Sequence, residues 1–170
     1  IAVLKALHDQ GITLENTEVG VILSGSEEAG LRGCKSWAKN HYDEYVNSGV
    51  ETVVLCVDTL TDREYLRVYN KDMTGTVKNN QQFSQLVMNA SKDAGHDDIE
   101  LSSVFFGSSD AAAFSQAGIT ATCLAAMDPR PADYYHNRRD TADRLVPETI
   151  KTGFDVIIST ILNFDEKGLN

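Results

Sequence analysis

The chain has 170 residues, 42 % apolar and 24 % charged, with 25 Asp and Glu against 15 Lys and Arg for a net charge of -10. That length buries a real core and fits one domain over residues 1–170. An acidic surface of this size repels phosphate backbones and anionic lipid, which excludes nucleic acid and membrane as partners.

In chain order, Ile1 to His8 has helical apolar spacing and stops at Gly11. It opens mid-pattern, with no initiator Met and no N-cap, which predicts a piece of a longer protein. Glu18 to Leu23 reads as a buried strand, and Ala29 to Val46 as a helix carrying Leu31, Cys34, Trp37, Ala38, Tyr42 and Tyr45. Thr52 to Val57 is a second buried strand, ending at Asp58, and Tyr65 to Tyr69 an edge strand. A polar loop over Asn70 to Asn80 precedes a helix through Phe83, Leu86, Val87 and Ala90 that ends near Gly95. Leu101 to Phe106 predicts a strand, Asp110 to Ala117 a short helix closed by Gly118, and Ile119 to Ala126 a further strand. A loop from Met127 to about Val146 leads to an amphipathic helix lined by Ile150, Phe154, Ile157, Ile158, Ile161 and Leu162. Strands alternating with helices predict an α/β fold: a three-layer α/β/α sandwich around a mostly parallel mixed sheet.

Cys34, Cys56 and Cys123 are odd in number and lack C-x-x-C spacing. They read as buried free thiols, which leans toward a reducing, cytoplasmic compartment, with export left open.

Open α/β sheets bind ligands beyond the carboxyl ends of their strands. Polar groups collect there. Glu27 and Glu28 follow the first predicted strand, Asp58 the second, and Asp133 to Thr141 lies in the loop behind the last. Carboxylates plus an imidazole are the donor set of a catalytic zinc, and adjacent carboxylates allow one to hold metal while the other takes a proton. Each residue also has a plain structural reading. Ser24-x-x-Glu27 fits a helix capping box, Asp58 a turn, Tyr135 a packing aromatic, His136 a solvated loop residue and Asp110 a helix N-cap. Gly95-His96-Asp97-Asp98 is a rival acidic cluster, with adjacent rather than convergent groups.

Four blocks carry a resemblance. "SGSEEAGLRG" resembles the Glu-Glu-Ala-Gly-Leu-x-Gly signature of the co-catalytic zinc aminopeptidases, metallopeptidase family twenty-eight. "VLCVDTL" resembles the family strand ending in a metal-binding Asp. "GSSDAAAFSQAGITATCLAAMD" and "YYHNRRDTADRL" resemble its Ser-Asp-x-x-x-Phe-x-x-Ala-Gly-Ile and Tyr-His-x-x-x-Asp-Thr-x-Asp-x-Leu segments, and the four stand in family order.

The resemblance implies a zinc-exopeptidase-like fold and a peptide substrate. It makes Glu27 the general base on a bridging water, Glu28 and His136 ligands of one zinc, and Asp58 a ligand of the other. Tyr135 would donate to the oxyanion, where negative charge develops. Asp140 would orient the loop or His136, and Asp110 would stand beside the ligands or the substrate. Ala111 replaces a common His and Asn137 a common Thr, which bears on substrate contacts. The family's first metal-binding His and its bridging Asp lie upstream of the segment matched here. This chain is therefore expected to bind zinc weakly or not at all, and the full protein to bind two ions. An aminopeptidase is the leading expectation. Arg130, Arg138 and Arg139 keep a carboxypeptidase or dipeptidase open, since Arg grips a terminal carboxylate. A glutaminyl-cyclase-like acyltransferase and a non-catalytic relative of the fold also stay open.

Overall fold

The computed structural model describes residues 1–130 and 132–169. It contains helices α1 (Ala2–Asp9), α2 (Arg32–Tyr45), α3 (Gln81–Asp93), α4 (Asp110–Gln116) and α5 (Pro147–Lys167). The strands are β1 (Val53–Asp58), β2 (Leu66–Asp72), β3 (Val77–Lys78), β4 (Leu101–Ser103) and β5 (Thr120–Ala126).

β1 and β5 pair in parallel, as do β2 and β4, while β2 runs antiparallel to β5 and β3, so one open sheet is mixed. Both faces are covered, and for that reason β5 is buried at every position but the first rather than alternating. Ala121, Cys123 and Ala125 join Leu31, Cys34, Ala38 and Phe114 on the α2 and α4 side. Leu124 and Ala126 join Leu66, Val68, Phe83, Val87 and Val156 on the α3 and α5 side. The predicted α/β sandwich stands. The period of two then places Asp58, like Val54 and Cys56, on the α2 and α4 face.

Several boundaries differ from expectation. Glu18 to Leu23 forms no strand, and most of its apolar side chains face water: Val21 is 48 % and Leu23 81 % exposed. An apolar run becomes a strand only when its N–H and C=O groups find a neighbour, and among the described residues none pairs with it. The helix expected from Ala29 begins at Arg32, because Gly30 and Leu31 take left-handed conformations at φ 97° and 58°. The expected edge strand is instead an interior one, extended through the predicted polar loop to Asp72 and bonded to β3, β4 and β5. The strand expected through Phe106 stops at Ser103 and leaves Phe105 and Phe106 exposed.

The three cysteines are free. No described helix is long and apolar enough to cross a membrane.

Candidate active site at the β1 rim

The opening of α2 is held by backbone. Gly30 and Leu31 N–H both donate to Glu27 O, Arg32 N–H to Ser26 O and Gly33 N–H to Gly25 O at 3.0 Å. Gly33 lies so close to Gly25 that an added Cβ would clash with the Gly25 carbonyl oxygen and stand 2.7 Å from its nitrogen. That approach folds the segment carrying Glu27 and Glu28 back on itself.

The capping-box reading of Ser24 and Glu27 is overturned. α2 starts at Arg32, its N-cap Leu31 makes no side-chain cap, and Ser24 Oγ donates instead to Asp110 Oδ2 at 2.6 Å. Asp110 is the first residue of α4, capped by Ser109, so this bond ties the Glu27 segment to a second element. The other Asp110 oxygen, Oδ1, is buried without a partner among the described residues. Ser109 is fixed in turn by the fully buried Asp72, which accepts from its N–H at 2.9 Å and its hydroxyl at 2.5 Å.

Asp58 ends β1, and the hydroxyl of Thr59 donates to its Oδ1 at 2.9 Å. Burial raises the Asp58 pKa, and the negative Asp110 and Glu28 raise it further against the Thr59 bond.

The loop after β5 supplies the remaining pair. His136 Nε2 stands 3.0 Å from Glu28 Oε2. Its ring stacks on Tyr135 with centroids 3.8 Å apart, and its backbone takes φ 55°, a strained value for a residue with a ring side chain. Asn137 organises this turn by donating from Nδ2 to the carbonyls of Asp133 and Tyr135, and its Oδ1 accepts from Arg139 N–H. Burial raises the Tyr135 pKa, as do Glu28, Asp58 and Glu27, which keeps the phenol a donor.

Glu27 feels all of these groups. Its pKa is raised from 4.5 to about 7, by burial first and then by Glu28, Asp58 and Asp110, with His136 opposing. Glu27, Glu28, Asp58, Asp110, Tyr135 and His136 thus share one rim. Asp140 sits in the exposed turn, its N–H donating to Asn137 O at 3.1 Å. Arg139 is engaged by Asp133 at 3.8 Å. The rival cluster disperses, with His96 3.4 Å from Asp155 of α5 and Asp98 paired with Arg63.

Two residues of the site have parts that the motifs do not assign. Asn137 carries a legible signal, an Asn inside a polar turn. Cys34 carries none: it packs beneath the rim, where burial and then Asp110 push its thiol up to about 12. A thiol so hard to ionise is a poor nucleophile.

Imidazole nitrogen beside carboxylate oxygen is a donor pair of the kind zinc takes. Among the described residues, however, no group of three or more His, Cys, Asp or Glu is arranged to hold an ion. The Glu28 and His136 pair is of a donor chemistry that fits zinc.

The family model for Peptidase family M28 matches residues 1–161. No curated protein matches the chain in sequence. Among solved structures, the LapA aminopeptidase of Legionella pneumophila is similar at TM-score 0.69 and 17 % identity, covering 85 % of this chain and 38 % of its own. BSAP, a zinc aminopeptidase from Bacillus subtilis, is similar at TM-score 0.61 and 21 % identity, covering 81 % and 33 %. A glutaminyl cyclase from an Acidobacteriales bacterium is similar at TM-score 0.64 and 18 % identity, covering 86 % and 50 %. The chain spans no more than half the length of these relatives.

Proposed function

The chain belongs to Peptidase family M28, and on that premise we propose that the whole protein is a zinc-dependent exopeptidase, an aminopeptidase that hydrolyses the first peptide bond of its substrate. One observation carries the reading: His136 Nε2 stands 3.0 Å from Glu28 Oε2, more than a hundred positions away in sequence, and the charges of Glu28, Asp58 and His136 all act on Glu27.

Glu28 and His136 would hold one zinc and Asp58 the other, with the remaining donors coming from elsewhere in the whole protein. Zinc supplies Lewis acidity toward the scissile carbonyl and a nucleophilic water at neutral pH. The chain's own residues do the rest. Glu27, with its pKa at about 7, is poised to take a proton from water and return it to the leaving amine. Tyr135, half exposed on the stacked His136 ring, offers its O–H to the oxygen on which charge develops. The Ser24 to Asp110 bond keeps the Glu27 turn against α4, so neither carboxylate must reorganise during turnover.

The acidic rim favours a free α-ammonium over a terminal carboxylate, and the nearby Arg139 already has Asp133 for a partner. The whole protein should hydrolyse an aminoacyl anilide and leave an N-blocked dipeptide intact; the reverse preference would make it a carboxypeptidase. Likeness to a glutaminyl cyclase supports a second reading. Cyclisation of an N-terminal Gln peptide, without hydrolysis of the anilide, would establish that one instead.

A further inference from the structure

We infer that Gly153 and Leu60 form a pin which positions Asp58 from the opposite side of the sheet; the inference rests on the zinc-site reading of Asp58 given above. Asp58 lies on the α2 and α4 face. Two residues later Leu60 packs on the other face, against the cluster of Leu66, Phe83, Leu124 and Val156. Between them Thr59 takes a left-handed φ of 43°, and its carbonyl accepts from Ala126 N–H at 3.0 Å. The chain therefore crosses the sheet edge in one strained residue, stitched to the end of β5.

The far end of that crossing sits in a notch. A Cβ on Gly153, in the second turn of α5, would stand 2.6 Å from Leu60 Cδ1 and 3.2 Å from Cδ2. Glycine inside a helix is unfavourable by its propensity, so its presence there needs a steric reason. Leu60 supplies that reason. Thr59, held through its carbonyl by Ala126 and followed by the seated Leu60, donates from Oγ1 to Asp58 Oδ1 at 2.9 Å. Gly153 and Leu60 are positioning residues: they act on the carboxylate through Thr59 without touching the rim.

A reciprocal swap tests the pin. Gly153→Ala crowds the notch, Leu60→Val empties it, and the double variant refills it from the α5 side. In the 170-residue chain, amide exchange at Ala126 is expected to speed up about tenfold in each single variant, while Val87 of α3 keeps its protection. The double variant should return Ala126 toward the parent rate. In the whole protein, zinc affinity should fall about tenfold in each single variant and recover in the double. Unchanged Ala126 exchange in Gly153→Ala, losses that add in the double variant, or a parallel loss at Val87 would each overturn the pin. Zinc affinity equal to the parent in both single variants, with Ala126 loosened, would overturn its action on Asp58. Should Gly153→Ala fail to fold, Leu60→Val alone still decides the exchange result. A parent that takes up no zinc, yet shows the expected exchange pattern, would sink the zinc reading and leave the pin standing.

Discussion

Glu27 is the residue whose surroundings say most about its work. Partial burial first, and then three neighbouring carboxylates, raise its pKa from 4.5 to about 7. An acid whose folded pKa is raised binds more protons folded than unfolded, so its contribution to stability is complete below pH 4.5 and is lost as pH rises through 7. The chain without metal should therefore show a thermal midpoint that falls over that window, and Glu27→Gln should flatten the fall. A fall of the same size in the variant would mean that Glu27 is not its source. For turnover, the same substitution should leave the fold intact and cut kcat of the zinc-loaded whole protein by at least about a hundredfold, the scale of a lost general base. Steady-state hydrolysis of an aminoacyl anilide reads this directly.

At the scale of elements, the site depends on how α2 begins. The Gly33 to Gly25 approach leaves no room for a side chain, and the obstructing atoms are backbone, which cannot swing aside. Gly33→Ala should destabilise the chain by about 1–3 kcal/mol, seen as a lower denaturant midpoint, and should separate Glu28 from His136. Leu23→Ser is the contrasting case. Its side chain is 81 % exposed in an unpaired segment, so the stability read from the midpoint should move by less than about 0.5 kcal/mol. A large loss would show that Glu18 to Leu23 packs against something in solution.

Across the whole molecule, the sequence discloses much of this, for reasons that differ by region. β1 and β5 are legible because a strand covered on both faces is mostly apolar, and α3 because its buried residues recur at the helical period. On α5 the period is legible but the face is not: Thr149, Thr152, Gly153, Val156 and Thr160 are buried, while Ile150 and Leu162, expected in the lining, are exposed. β2 reads as an edge strand over Tyr65 to Tyr69 because its alternation is weak and a polar stretch follows from Asn70, although three strands bond to it. Glu18 to Leu23 reads as a strand because hydrophobicity reports a drive toward burial without naming a partner. The rim residues stand out as short-range motifs, while Ser24 to Asp110 and Leu60 to Gly153 span 86 and 93 positions (24 to 110, 60 to 153) and leave no local signal. The acidic excess is partly a property of the rim itself, where Glu27, Glu28, Asp58 and Asp110 gather. Such a concentration of negative charge invites cations.

The most direct measurement is an anomalous difference map, recorded at the zinc edge, from crystals of the whole protein. The account predicts a peak within bonding reach of His136 Nε2 and the Glu28 carboxylate, with Asp58 on a second. Zinc density elsewhere, with none at the Glu28 and His136 pair, would contradict it.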